Sequence, residues 1–477
     1  MNEKSRNKIL GSAIDNIIVF LWCAAFFLFP LIVSTHTTNA FILPKQALIL
    51  FIVLLSLLLW GVKIITQGFL VLRRTPFDFP ILFFTIALLV SSLLSINRFD
   101  ALITFISFIG LILAYFIVVN IGRKDSAILL LLSALVAGAS VLSIVTIFSY
   151  FKIYLLPFSY AHNQSFTLLG SYLEQAFYIG FILPISAYFT YPLLKGKADV
   201  RNILFSAAFL LNACGLLFTV LFLTTTQKPL ILPFETGFQI AFAAISQDGP
   251  RIFQGFFFGS GFGTFFTDFT RFKLASFNLN PNLWYLTFTQ SSSFVLELLT
   301  TTGLLGLLSF FFIIYRVFKK SNAIWVNPIT LSLFIAVIIA FALPMSFFSL
   351  GLFFFLLALF SAIEAFNHPD NYFDLEIQTF ANKKHVSEHE EQVQLVNNSI
   401  SKFISIVVFL IILILIGFLG WFGTRYVLSD IYFQQSLAAA AKNNGNLTYQ
   451  KQLEAIKLVE YRDGYYRIFS QTNLILA

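Results

Sequence analysis

Apolar runs of about 20 residues return again and again along this chain, each long enough to cross the hydrocarbon core of a bilayer. In lipid, a backbone N–H or C=O has no water to bond. Such runs must therefore be helices that satisfy their own backbones and pack on one another. The composition agrees: 58% of residues are hydrophobic and 11% charged, whereas a soluble domain is roughly half apolar and a quarter charged. The expected fold class is all-α, a polytopic transmembrane helical bundle of about eleven spans, with a long extracytoplasmic loop and a short helical-repeat tail.

The expected spans are Ile17–Val33, Ala47–Ile65, Phe79–Ile96, Leu102–Ile121, Ala127–Tyr150, Ser171–Leu194, Ile203–Leu223, Ser293–Val317, Pro328–Leu343, Phe348–Ala365 and Phe403–Gly423. No signal-peptide cleavage pattern precedes the first, so it is expected to be kept. Residues 1–424 form the membrane domain. It carries an extracytoplasmic loop over 224–292, too polar and too broken by Gly and Pro to span, and a charged cytoplasmic loop over 366–402. Within the outer loop, Phe238 opens FQIAFAAISQ, which suits a short helix at the interface. Residues 425–477 form an extracytoplasmic tail with a helix, turn, helix, helix pattern. Its Ala-rich first helix and Ala455-Ile456 resemble a tetratricopeptide repeat, a unit that needs about three copies to bury a continuous face. Two or three amphipathic helices lying on the outer leaflet would give the same pattern. The chain stops at NLILA inside that pattern, so the tail is expected to continue in a longer protein.

Net charge is +8. In a soluble protein this would suggest nucleic acid; here it follows from a bias of Lys and Arg toward one side, and no nucleic-acid partner is expected. The segments assigned inside hold 17 of the 30 basic residues, the outer loops seven and the tail six. That asymmetry places the N-terminus in the cytoplasm and the tail outside. Cys23 and Cys214 fall within apolar runs and read as packing residues. No Cys/His spacing suits a metal, and no metal or cofactor is expected.

The stretch from Gly255 to Leu308 holds the candidate chemistry. Gly259-Ser260-Gly261-Phe262-Gly263 lacks the Lys-Ser/Thr ending of a nucleotide loop. Gly259, Gly261 and Gly263 instead suit a tight turn or close approach to a ligand, and exposed backbone N–H groups there could bind an anion. Arg271 and Lys273 follow, a cationic pair beside an apolar slab that suits a lipid-linked phosphate or pyrophosphate. Contact with anionic headgroups is their plainer role. Arg251, Arg98 and Lys45 are weaker candidates of the same kind, as is Lys228. Asn280 and Trp284 belong to a polar-aromatic turn suited to a sugar, with turn chemistry and an interfacial anchor as the plainer reading. Glu297 and Glu174 lie near outer span ends, where an ionisable group marks a cavity or an internal pair. His162 lies in an outer loop and is the other candidate base, though a lone outer histidine is more often a surface residue.

Three pieces stand in order: Gly259-Ser-Gly-Phe-Gly-Thr-Phe265, then Asn280 to Trp284, then Val295-Leu-Glu-Leu-Leu-Thr-Thr-Thr-Gly-Leu-Leu-Gly306. Weaker echoes are Leu43-Pro44-Lys45, Arg74-Thr75-Pro76-Phe77-Asp78 and Leu168-Leu-Gly170-Ser. In this order the chain resembles the O-antigen ligase and polymerase family of bacterial membrane proteins, in which an appended tetratricopeptide region is a known arrangement. The resemblance implies a multi-pass protein of the bacterial inner membrane. It implies transfer, without metal or nucleotide, of a glycan from an undecaprenyl-pyrophosphate carrier to a lipid A core, glycan chain or protein acceptor. The other partners implied are membrane lipids and, through the tail, a protein. The family often places a His just before the LELL helix; here the residues are Thr289-Gln290-Ser291-Ser292-Ser293. Serine cannot replace imidazole as a base at neutral pH. The base is then Glu297 or His162, or transfer relies on electrostatics alone, or the protein is inactive. A transporter of a lipid-linked sugar or other solute, and a catalytically inactive membrane scaffold, are the readings from other classes. No similarity between the two halves supports the transporter, and a scaffold leaves the motif order unexplained.

Overall fold

Asn97 shows how the spans begin in the computed structural model: its side chain accepts from the Asp100 amide and so caps the helix that follows. The structure describes the chain apart from residues 1–2, 68, 197–198, 227, 248, 280–283, 321–326, 379–393 and 477. Seven helices come first: α1 (Glu3–Leu28), α2 (Leu43–Gln67), α3 (Asp78–Leu93), α4 (Arg98–Ile121), α5 (Asp125–Tyr150), α6 (Tyr172–Leu194) and α7 (Val200–Thr225). Four short ones occupy the long loop: α8 (Phe234–Ser246), α9 (Ile252–Phe258), α10 (Phe265–Phe272) and α11 (Ala275–Leu279). Then come α12 (Phe294–Lys320), α13 (Pro328–Ala342), α14 (Phe347–Asn367), α15 (Gln394–Ala441), α16 (Gly445–Leu458) and α17 (Asp463–Leu476).

The chain is a helical membrane protein. Among the described residues, nine helices are long and apolar enough to cross a bilayer, and α3 and α13 are shorter apolar helices. The eleven expected spans all fall on these helices. At 16 and 15 residues, α3 and α13 reach only about 22–24 Å at 1.5 Å per residue, short of a bilayer core.

Three features differ from the sequence reading. First, the segments around 66–78 and 366–402, expected as plain loops, contribute an antiparallel pair, β1 (Phe69–Arg74) and β2 (Phe373–Gln378), in register from Phe69↔Gln378 to Arg74↔Phe373. Asp374 clamps it, with Arg123 Nη1 at 2.9 Å and Arg73 Nε at 3.6 Å. Burial pulls the Arg123 guanidinium below its ordinary pKa, and Asp374 pushes it back up. Second, no break separates the last span from the tail. α15 runs on through Thr424 and Arg425, because Gly423 is a small residue facing Leu50 of α2 rather than a helix stop. Third, α12 is one apolar run in sequence but two half-helices in space, as described below.

Helix α14 is the centre of the bundle and is apolar all round. Its Phe348 stacks on Phe29 at 4.8 Å, its Phe355 lies 4.7 Å from Phe26, and its Phe354 meets Phe108 of α4 edge-on. The bundle has two ends. One carries the sheet and Arg123; the other carries α8 to α11, the 29–42 and 151–171 loops, and the tail.

Candidate functional site

The centre of the loop end is a break in α12. Gly303 has φ +64° and ψ −163° within an otherwise helical run, a conformation that only glycine adopts without strain. Two carbonyls just ahead of the break accept from outside the helix: Thr300 O from the Ser260 amide at 3.3 Å, and Thr301 O from the Gly261 amide at 2.8 Å. Ser91 Oγ of α3 also donates to Thr301 O, at 2.8 Å. The glycine turn is thus the partner of the broken helix. Non-helical backbone at membrane depth persists only where protein or a cavity receives it. The expected anion nest is corrected by this pairing, since the Ser260 and Gly261 amides are already spent on α12.

Below the turn, Asp268 is fully buried and accepts from Ser260 Oγ. The sequence reading passed over it. Its signal was present: Phe265, Asp268 and Phe269 share one buried face of α10, and an acid on an apolar face needs a partner.

The residues leading into α12 meet the turn between α13 and α14. Gln290 Nε2 donates to Met345 O at 3.0 Å, and the Phe294 amide to Leu343 O at 3.1 Å. The Ser291 amide approaches Glu297 Oε2 at 3.4 Å. Across the same turn, the Ser346 amide donates to Glu174 Oε1 of α6 at 3.3 Å. The other oxygen, Oε2, is buried and meets no donor in bonding geometry, although the Ser346 and Ser349 hydroxyls lie beside the carboxylate. Ser291 Oγ and Ser292 Oγ are likewise buried, without a partner among the described residues, under Gly237 of α8. Both carboxylates are partly buried. Glu297 and two hydroxyls without a partner among the described residues thus lie where α12 starts against α8, and Glu174 of α6 lies on the α13–α14 turn that the same segment contacts. Such a cluster can take a proton from one hydroxyl and hold others in place.

Of the remaining candidates, Lys45 borders this cluster, its charge acting on Glu174 and its ammonium 6.0 Å from the Phe348 ring; the others lie elsewhere. Lys45 is 1% exposed and donates to the Ile32, Phe41 and Leu168 carbonyls at 2.8, 2.9 and 3.2 Å. An ammonium has three donors, so these three carbonyls take all of them and Lys45 stitches loops together beside Glu174. Arg251 is committed too, bonding Leu94 O and, at 3.1 Å, Gln254 Oε1, which holds α9 against the end of α3. Arg271 is exposed over the Phe272 ring at 4.8 Å. Lys273 lies over Phe269 and Phe277 at 5.6 and 5.9 Å. Both ride on a separate small core that includes Ile240, Phe265, Phe269 and Phe288. Arg98 is exposed on the first turn of α4, flanked in sequence by Ser95 and Thr104, which pack on Gly261 and Gly263. Trp284 is exposed, and Asn280 falls outside the described residues. His162 stacks on Tyr154 at 5.4 Å with Nε2 3.0 Å from Leu156 O, so it belongs to its own loop. No hydrogen bond or ion pair joins it to Glu297 among the described residues.

Comparison of the chain with protein-family models, with curated proteins and with solved structures finds no match.

Proposed function

We propose that this protein is a membrane-embedded glycosyltransferase. It would move a glycan from a polyprenyl-pyrophosphate carrier to an acceptor hydroxyl at the loop end of the bundle, in the manner of the O-antigen ligases and polymerases. One observation carries this reading: the first and last pieces of the motif order dock together, Gly261 N on Thr301 O at 2.8 Å, one helical turn along α12 from Glu297.

In this reading Glu297 is the general base. Its carboxylate takes the proton of the acceptor hydroxyl, the oxygen attacks the anomeric carbon, and the C–O bond to pyrophosphate breaks. The departing charge needs cations. Arg98 is an exposed cation on α4, whose Ala101 and Thr104 pack on the glycine turn, and Arg271 and Lys273 lie at the end of α10. Ser291 and Ser292 would bind sugar hydroxyls. The loop end faces outward, and the acceptor is a glycan, lipid or protein.

A transporter reading also has a specific observation behind it, because a discontinuous helix with polar groups at the break is how many transporters build a substrate site. One experiment separates them. The gene is deleted in its host, and carrier-linked glycan, transferred glycan and solute uptake are measured. Accumulated carrier-linked glycan, restored by wild type but not by Glu297→Gln, supports transfer. Unchanged surface glycan with altered uptake refutes transfer and supports transport.

A further inference from the structure

At the opposite end, α3 and α12 line an open pocket of about 290 Å³ beside the sheet. That is close to the ~300 Å³ at which small-molecule sites begin. Arg74, Arg316 and Lys320 line it, with Asp78 as the acid. Asp78 is already engaged: its oxygens accept from Thr75 Oγ1 at 2.6 Å and from the Thr75 amide at 3.0 Å. It is turned onto its own loop, and its charge also acts on Arg74. Arg316 is different. Its Nε is buried and has no acceptor among the described residues, while its guanidinium lies 5.3 Å from the Phe312 ring. A buried guanidinium donor without an acceptor is costly. Arg74 stands over Phe373 at 5.7 Å, and Phe79, 67% exposed, meets Phe312 edge-on at 6.0 Å. The pocket therefore joins a cationic floor to an apolar, outward-facing wall.

We propose that this pocket binds the phosphate of a phosphate ester, with Arg316 as the central donor and Arg74 and Lys320 beside it. A guanidinium fork matches phosphate oxygens and supplies the acceptor that Nε lacks. The aromatic wall suits an ester carrying apolar chains. A lipid headgroup and a soluble phosphate ester share this chemistry. The proposal does not depend on the glycan reading.

The test uses the purified full-length chain in lipid-free detergent, with the melting midpoint followed during titration. The probes are dioleoyl phosphatidic acid, dioleoylglycerol and glycerol 3-phosphate. Phosphatidic acid should raise the midpoint saturably, and dioleoylglycerol should not. An equal response to glycerol 3-phosphate assigns the source to solution; no response to it assigns the source to lipid. Arg316→Gln and Arg74→Gln should each weaken the response about tenfold, the loss of one charge-assisted contact of roughly 1.4 kcal/mol. Should Arg316→Gln fail to fold, the exposed Arg74→Gln decides. No response to either phosphate, an equal response to dioleoylglycerol, or wild-type affinity in Arg74→Gln overturns the assignment.

Discussion

The amide of Gly261 donates to the carbonyl of Thr301 at 2.8 Å, so a loop residue completes the backbone of a helix forty residues away in sequence. The pairing depends on Gly303. A Cβ there would lie 2.6 Å from Phe257 C and 2.7 Å from Gly259 N. These are backbone atoms, which cannot rotate aside, and the φ of +64° adds strain. Gly303→Ala should therefore cost about 3 kcal/mol or more, the strain alone being of order 1–3 kcal/mol. Gly180→Ala is the control: its Cβ would meet nothing within 4 Å, and in a helix interior the change should stabilise by about 0.5–1 kcal/mol. Melting of both variants in detergent checks this. A Gly303→Ala variant as stable as wild type would mean the break is not fixed by glycine.

Lys45 and Arg98 were read from sequence as cations of one kind, and the structure separates them. Removing the Lys45 ammonium leaves three carbonyls without their donor. Each buried unsatisfied group costs about 1–3 kcal/mol, so Lys45→Met should lower stability by roughly 3 kcal/mol or more. Arg98→Gln, on an exposed residue, should change it by less than about 0.5 kcal/mol. Equal melting points for the two variants would refute the distinction.

The bundle was legible because apolar length forces helices in lipid, whatever the neighbours do. The apolar runs are apolar helices, nine of them, among the described residues, long enough to cross a bilayer. The break in α12 was not legible, since VLELLTTTGLLGLL is one continuous apolar pattern and a mid-helix glycine is ordinarily tolerated. Only the tertiary partner, the Ser260–Gly261 backbone, makes the break stable. The sheet was missed for a related reason: FLVLRR and FDLEIQ lie about 300 residues apart, and neither is a strand without the other. Within the site, Glu297 and Glu174 were visible as acids inside spans. That the Lys45 donors are spent on three carbonyls is not legible, because residue type does not say which acceptors a cation meets. Asp268 is only weakly legible as buried, because α10 is short and its apolar face is fixed only by packing on Ile240 and Phe288.

If Glu297 is the base, Glu297→Gln should keep the fold and lose about 10²- to 10⁴-fold in transfer, the usual contribution of a positioned proton acceptor. The amide keeps the volume and can still receive the Ser291 N–H, so the melting point should stay near wild type. Complementation of a deletion strain, with carrier-linked and transferred glycan measured side by side, gives the answer. Full transfer by Glu297→Gln would move the base elsewhere in the cluster, and Glu174→Gln is then the next variant to measure.

The tail is held to the bundle by Asp430 and by a buried phenol. Asp430 is 1% exposed and accepts from the Thr38 amide at 2.8 Å, Thr38 Oγ1 at 2.6 Å and Arg462 Nη1 at 3.3 Å. Asp430→Ala should release α16 and α17, seen as faster limited proteolysis after Lys457 and Arg467 at neutral pH. Tyr465 adds a pH dependence. Arg462 Nη1 donates to its hydroxyl at 2.6 Å, and Ser429 Oγ lies 2.9 Å away. Burial pushes the phenol up to about 12 from 10, with the Arg462 charge pulling the other way. Because the folded value is the higher one, the docked tail holds its proton where the released tail would lose it. The stabilisation is complete below pH 10 and disappears as pH rises toward 12, an effect on the order of 2 kcal/mol. Tyr465→Phe cannot ionise, so tail protection in that variant should fall less steeply across this window. Identical profiles for the variant and wild type would show that the phenol does not titrate with undocking.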